Sequence, residues 1–426
     1  MFLKFYKSKS LIAFSTFILI GILMTGLIIF SLPAILGGRF LYPVADYSAS
    51  AKTLITKSFE NFEPSCLIDT HIHVAGIGNS GSGIFVSPKG QSILHFGQWL
   101  KTKVYMSASA VEHMNRADEE YWERLNLLVE DFKSFLPSSI SWKGVLLAFE
   151  KFYDTNGIAI EEKTSLHVPN QYVHQLAVSN KAFSPAVSIH PDKPEAINEL
   201  RFWHEKGARI VKWLPNSMRI DPSSDNALKF LTTMKELDMV LLTHVGEERA
   251  VDGEEFQVLG NPLLYRKALD QGVKIIMAHV ASLGDCIDLE MQNKNTSCFE
   301  LFWRLFENPK YTDNLFGELS AVTLYTRLGA PILKILESPQ THHRLVNGSD
   351  YPLPGVNWIF RTTQMVKLGF ITEEERVDLN QIYRRNPLLF DFIVKRTIRH
   401  PVTGAKLSNI NFSWPKALGG CDFFKN

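Results

Sequence analysis

Short apolar runs alternate with segments whose apolar residues recur every three to four positions from Cys66 onward. The runs over residues 66–73, 144–149, 183–189, 208–212, 239–244, 273–279, 315–319 and 344–350 read as strands, several apolar throughout, as expected of strands buried on both faces. The periodic segments over 119–135, 194–206, 226–237, 331–337 and 373–384 read as helices. Regular alternation of the two makes the chain an α/β protein, and eight strand candidates suffice for a (β/α)8 TIM barrel. The polar Asp154-Thr155-Asn156-Gly157 turn between Phe152 and Ile158 predicts a hairpin inserted after the second strand and overhanging the mouth. Insertions over 76–90 and 285–297 follow strands that carry chemistry, which makes them the expected specificity loops.

Polar residues sit where these runs stop. His71 and His73 alternate with Ile72 and so share one face of a strand end, where two imidazoles can hold a cation such as zinc; Asp69 nearby could orient one of them. Lys212, His244 and His279 end later runs, and Asp350 adds an anionic ligand before the loop Tyr351-Pro352-Leu353-Pro354-Gly355. Taken singly, each histidine reads as a satisfied rim histidine. In a parallel barrel, however, all six positions converge at the carboxyl ends of the strands. His190, Glu247, Glu248, Arg249 and Tyr351 follow strand ends but stay outside this set: Glu247 and Glu248 read equally as a solvated helix start, and His190-Pro191 as a strand terminus.

Through Asp69-Thr70-His71-Ile72-His73, Lys212, Thr243-His244, Ala278-His279 and Gly348-Ser349-Asp350 the chain resembles the amidohydrolase superfamily of metal-dependent hydrolases, over about residues 66–395. The segment from Ile382 to Phe390 looks like the last helix of the amidohydrolase-related branch, which contains decarboxylases as well as lactone and amide hydrolases. The resemblance implies His71, His73, His244 and His279 as ligands of one or two divalent ions, most simply zinc. It implies Asp350 as ligand and proton acceptor from water, with His279 beside it in the catalytic set. Lys212 has two readings, because a charged ammonium beside a dication is repelled by several kcal/mol. Either it is carboxylated and bridges two cations, or it points aside to a substrate carboxylate or into packing. The implied reaction is hydrolysis of a C–N or C–O bond in a small substrate; the alternatives are decarboxylation and a catalytically silent binding barrel.

Ahead of the barrel, Lys4, Lys7 and Lys9 precede an uncharged apolar stretch over 11–36, about 26 residues and long enough to cross a bilayer. A secretory signal has a shorter apolar region, and the Ala49-Ser50-Ala51 site lies too far downstream for cleavage, so the stretch reads as a retained single-pass anchor. The basic N-terminus places the barrel on the extracytoplasmic side, although Arg39, Lys52 and Lys57 oppose that assignment. Gly21 and Gly26 lack the Gly-x-x-x-Gly spacing of a dimerising span, and the oligomeric state stays open. Residues 37–65 read as a linker, with Phe40, Tyr42 and Tyr47 suited to the bilayer interface or to packing, and 396–426 as a C-terminal tail.

Of the four cysteines, Cys286 and Cys298 are close enough to pair within one loop, while Cys66 leads a buried strand and Cys421 lies in the tail. Asn295-Thr296-Ser297 matches a glycosylation sequon. Lys and Arg number 45 against 44 Asp and Glu, which leaves no long-range field to gather nucleic acid and excludes it as the expected partner.

Overall fold

The computed structural model describes residues 2–38 and 46–424. Arg39, Phe40 and Tyr42 lie outside the described residues. Eight strands form one parallel sheet in chain order: β1 (Cys66–His73), β2 (Ser141–Leu147), β3 (Phe183–Val187), β4 (Ile210–Trp213), β5 (Val240–His244), β6 (Ile275–Ala278), β7 (Leu315–Glu318) and β8 (Leu345–Val346). Backbone hydrogen bonds from Thr70 N to Asn347 O (3.0 Å) and from His73 N to Tyr351 O (2.9 Å) join the last strand to the first, so the sheet closes as a TIM barrel.

Alternation along each strand explains the placement of the polar termini. Ile68, Val145, Ala186, Ile210, Leu242, Ile276, Phe316 and Val346 pack together inside the barrel, whereas Leu67, Val211, Leu241, Ile275 and Leu315 pack outward against the helices. Two residues beyond the inward Ile210, Leu242 and Phe316 stand Lys212, His244 and Glu318, which the same alternation turns inward, one layer higher. Burying a core of this kind on both sheet faces supplies the main stabilisation, at roughly 25 cal/mol per Å² of apolar surface.

Helices fall where periodicity predicts them, over Ala117–Lys133, Ala196–Glu205, Asp225–Glu236, Ala330–Leu336 and Glu373–Arg385. Others, including Phe96–Ala108, Asn170–Ser179 and Cys298–Phe306, are not marked by that periodicity, and the closing segment from Ile382 to Phe390 is divided at Asn386 between Glu373–Arg385 and a further helix, Pro387–Thr397. Within the linker, Ala49–Phe59 is helical, capped by Ser48, whose hydroxyl accepts from Ala51 N, and its Ile55 is fully buried against the barrel. The C-terminal tail is folded under the barrel floor: Trp414 and Leu418 join the interior cluster, and a disulfide links Cys421 to Cys66 at the start of β1.

Three insertions shape the mouth. The loop after β1 is organised by Asp118, whose Oδ1 accepts from Ile77 N and Gly78 N and whose Oδ2 accepts from the Ser82 hydroxyl. The hairpin after β2 forms as expected, with Tyr153 bridged to Ala159 and Asp154 Oδ1 accepting from Asn156 N and Ile158 N. After β6, Asp285–Asp288 pairs antiparallel with Lys294–Ser297, and a Cys286–Cys298 disulfide closes that hairpin. The Phe96–Ala108 helix roofs the mouth. Its Tyr105 hydroxyl donates to Ala250 O beyond β5, and a Cβ on Gly355, beyond β8, would collide with Ala108 O.

At the N-terminus a helix runs over Phe2–Leu36, and its Thr16–Leu36 portion is long and apolar enough to cross a membrane. Helix-capping hydrogen bonds from Gly37 N to Pro33 O (2.8 Å) and from Asn357 N to Leu36 O (2.8 Å) end it against the loop after β8.

Candidate metal centre

His71 and His73 project from the end of β1, and Asp350 from the turn after β8. The Nε2 atoms of the two imidazoles are 3.2 Å apart, and Asp350 Oδ1 lies 3.3 Å from His71 Nε2 and 3.2 Å from His73 Nε2. Lys212 Nζ, at the end of β4, is 3.2 Å from His71 Nε2. Ligand atoms on a tetrahedral cation with bonds of about 2.0–2.1 Å stand about 3.3 Å apart, so a cation could be held at this spacing. Lone pairs facing one another at such distances repel unless a proton or a cation lies between them. His71, His279 and Asp350 together could hold a metal ion.

His279, at the end of β6, brings Nδ1 to 3.8 Å from Asp350 Oδ2, with its ring centroid 5.2 Å from that of His71. His244, at the end of β5, faces Glu248 through Nδ1 (3.5 Å) while its buried Nε2 has no hydrogen-bond partner among the described residues. A buried imidazole nitrogen without a partner is costly, and a metal ion satisfies it. The two histidine rings lie 5.1 Å apart.

Burial sets the protonation of this cluster. It pushes the His71 imidazole below its usual range, helped by the Lys212 charge, and pushes His244 and His279 far below it, so all three are neutral and available as ligands. Burial also lowers the Lys212 ammonium to about 8, against the pull of Asp350, Glu318 and Glu248, which leaves an appreciable neutral-amine fraction near neutral pH. For Asp350 burial works to raise the pKa, but the His71 and His279 imidazoles and the hydrogen bond from His73 outweigh it and keep the carboxyl ionised.

Strand-end pattern alone did not single out Glu318. Fully buried at the end of β7, it places Oε2 3.3 Å from His71 Nδ1 and accepts from the Ser320 hydroxyl (2.7 Å), from Ser320 N (2.8 Å) and from His279 N (3.2 Å). It therefore fixes the His71 tautomer with the Nε2 lone pair turned to the centre, the usual carboxylate support for a metal-binding imidazole. Asp69, expected in that role, instead accepts from His71 N (3.1 Å) and Ser349 N (2.8 Å) and clamps the backbones of β1 and β8 together. His190 stands apart from the cluster, satisfied by Met218 O at 3.0 Å and Asp192 N at 3.2 Å. Glu247 pairs with Arg249 near the surface, and Tyr351 is buried against Tyr121. Of those five residues, Glu248 is the one whose side chain faces a predicted ligand among the described residues, His244; Tyr351 meets His73 through its backbone carbonyl.

Backbone strain gathers at the same place. Asp350 (φ 61°), His279 (φ 57°) and the β-branched Val280 (φ 47°) all take left-handed conformations, which cost about 1–3 kcal/mol each. Gly348 permits close approach: a Cβ there would collide with Glu318 Oε1 and come within 2.8 Å of the His71 Cβ. Gly348→Ala is therefore expected to displace both groups, destabilise the fold by roughly 1–3 kcal/mol and abolish metal loading, as read by urea unfolding and elemental analysis. A variant that loads metal like the parent would show that this packing does not position the ligands.

No family model and no curated protein sequence matches the chain. Among solved structures, an uncharacterised TIM-barrel protein from Bordetella bronchiseptica is 14% identical over 73% of this chain and 94% of its own, with a TM-score of 0.44. A probable 2-pyrone-4,6-dicarboxylic acid hydrolase from Acinetobacter baumannii is 14% identical over 73% and 95% (TM-score 0.40). A 5-carboxyvanillate decarboxylase from Sphingomonas paucimobilis is 11% identical over 75% and 99% (TM-score 0.40).

Proposed function

We propose that this protein is a membrane-anchored, metal-dependent hydrolase of the amidohydrolase type that cleaves a C–N or C–O bond in a small anionic substrate. The observation that carries the reading is the convergence of His71, His73 and Asp350 at 3.2–3.3 Å, with the orphaned His244 Nε2 in the same cluster. Imidazoles with one carboxylate suit zinc, which His71, His73 and Asp350 would hold, with His244 and His279 available to a second ion. When bound there, such an ion would supply the positive charge that acidifies a water and polarises the scissile carbonyl. Asp350, ionised and set among His71, His73 and His279, takes the water proton at a carboxylate oxygen and returns it to the departing nitrogen or oxygen. His279 stands next to it, and Glu318 keeps His71 in register.

Arg327 supports an anionic substrate. Buried in the loop after β7, its guanidinium makes one hydrogen bond among the described residues, from Nη1 to the Ser282 hydroxyl (3.0 Å), and its Nε finds no partner among them. Burial lowers its pKa, while Asp350, Glu248 and Glu318 act on it only through space, from beyond ion-pair distance. A buried guanidinium without a carboxylate partner is unfavourable by itself and matches a substrate carboxylate by its planar fork. Arg327→Met is expected to raise KM about 100-fold, equivalent to about 3 kcal/mol, while Tm stays level or rises. An unchanged KM for a carboxylated substrate would remove Arg327 from the site.

Two disulfides support an oxidising, extracytoplasmic location for the barrel, and Thr16–Leu36 supports a single-pass anchor. The reaction is tested by incubating the metal-loaded full chain with carboxylated lactones, amides and aromatic acids and weighing the products. Gain of one water supports hydrolysis; loss of carbon dioxide without added water would replace it by decarboxylation. Binding without any turnover across metals and substrates would leave a silent barrel.

A further inference from the structure

The roof helix is built between two partners: one side closes over the barrel mouth, and the other meets the N-terminal span. Trp99 packs its ring edge-on against Phe30 at 6.2 Å, and the Ser107 hydroxyl donates to Gly38 O at 3.1 Å. A Cβ on Gly37 would come within 2.8 Å of the Ser107 Cβ, so the span ends in direct contact with the roof. Phe30 precedes Leu36 by six residues, which at 1.5 Å per residue places it about 9 Å inside the end of the span. The span itself, 21 residues, is about 30 Å long and matches the hydrocarbon thickness of a bilayer. Trp99 thereby meets the span at the depth that the apolar face of an interfacial helix reaches, about 5–10 Å into the headgroup and acyl boundary.

Just ahead of Trp99 the surface is apolar without being covered: Leu94 is 89% exposed, Ile93 43% and Phe96 42%, with Phe96 stacked on Trp99 at 5.8 Å. Apolar side chains clustered this way, continuous with a span, mark a membrane contact. Between span and roof lies a cavity of about 770 Å³, walled by Phe30, Pro33, Trp99, Met106 and Val111. Two charged residues line it. Glu112 is matched by Arg124 at 3.6 Å, whereas the half-buried Lys103 has no ion-pair partner among the described residues, and burial lowers its pKa. The cavity thus combines an apolar wall open to the acyl layer with one unneutralised cation.

We propose that this cavity seats a phospholipid of the surrounding leaflet, its acyl chain along Phe30, Trp99 and Met106 and its phosphate at Lys103, so that the roof helix lies in the membrane interface. The seat rests on the reading of Thr16–Leu36 as a bilayer span. It makes the roof over the metal centre a surface element of the membrane and turns the mouth toward the headgroup layer.

The test uses the full chain in phosphatidylcholine and phosphatidylglycerol vesicles doped with a phospholipid carrying a diazirine on its acyl chain, with adducts mapped by peptide mass spectrometry after irradiation. Adducts are expected on 93–106 as well as along 16–36, and Lys103→Glu should cut those on 93–106 about fivefold while leaving labelling of the span unchanged; excess inorganic phosphate should not compete. Adducts confined to 16–36 would overturn the lipid seat and leave the anchor standing. Labelling of neither segment would overturn both, and competition by inorganic phosphate, or labelling of 93–106 indifferent to Lys103→Glu, would overturn the headgroup assignment.

Discussion

Asp350→Asn is expected to lower kcat by about 10³-fold while leaving the fold, and most of the bound metal, in place. General acid–base groups of this kind contribute about 10²–10⁴-fold, and an amide can neither accept the proton of an attacking water nor return it. The substitution is well suited to isolate that role. Asn has nearly the size and shape of Asp, and it tolerates the left-handed backbone (φ 61°) that most side chains resist at this position. Its carbonyl oxygen can take the place of Oδ1, 3.2–3.3 Å from the His71 and His73 Nε2 atoms. Turnover, metal per chain and Tm should therefore separate: the first falls, the second falls slightly, and the third is nearly unchanged. Turnover within tenfold of the parent would remove Asp350 from proton transfer. Substrate affinity should stay within a few-fold, because Arg327, not Asp350, is assigned the anionic end of the substrate.

The strand-end residues were legible because a parallel barrel converts a one-dimensional rule into a site. Side chains two apart share a face, so Ile210 and Leu242 in the interior imply Lys212 and His244 above them, and the closed sheet brings those layers together. The same rule was available for Glu318, two residues beyond the inward Phe316, but a carboxylate ending a short apolar run looks like any solvated strand terminus until its neighbours are known. Asp69 was misread for a related reason: its partners are backbone amides, one of them Ser349 N on the far side of the barrel seam, and no spacing encodes them.

Sequence distance explains the two disulfides. Cys286 and Cys298 are 12 residues apart and could be paired by eye; Cys66 and Cys421 are separated by 355 and meet only because the tail folds back under the floor. The roof helix escaped notice because it buries Trp99, Val104, Met106 and Ala108 against different partners, the span on one side and the mouth on the other, which spreads its apolar positions over more than one stripe. Arg327 lies in a loop, where no periodicity can point to it.

Lys212→Ala should reduce bound metal from about two ions per chain to about one and lower kcat by at least 10²-fold. A charged ammonium cannot sit here beside a dication: at about 4 Å and an effective dielectric near 20 the repulsion is on the order of 8 kcal/mol. Yet Lys212 is fully buried and points into the cluster at 3.2 Å from His71 Nε2. Its pKa near 8 makes the neutral amine accessible. The amine lone pair can then add to carbon dioxide, releasing one proton to solvent and leaving a carbamate, which would replace a misplaced cation by an anion able to help hold a second ion. The alanine variant opens a space of the right size for acetate or propionate, which should restore part of the second metal and part of the turnover; Lys212→Met, lacking that space, should not be rescued. Metal content indifferent to both substitutions would instead make Lys212 a neutral amine beside a single ion, and would shift the chemistry toward a centre in which His244 and His279 bind substrate rather than metal.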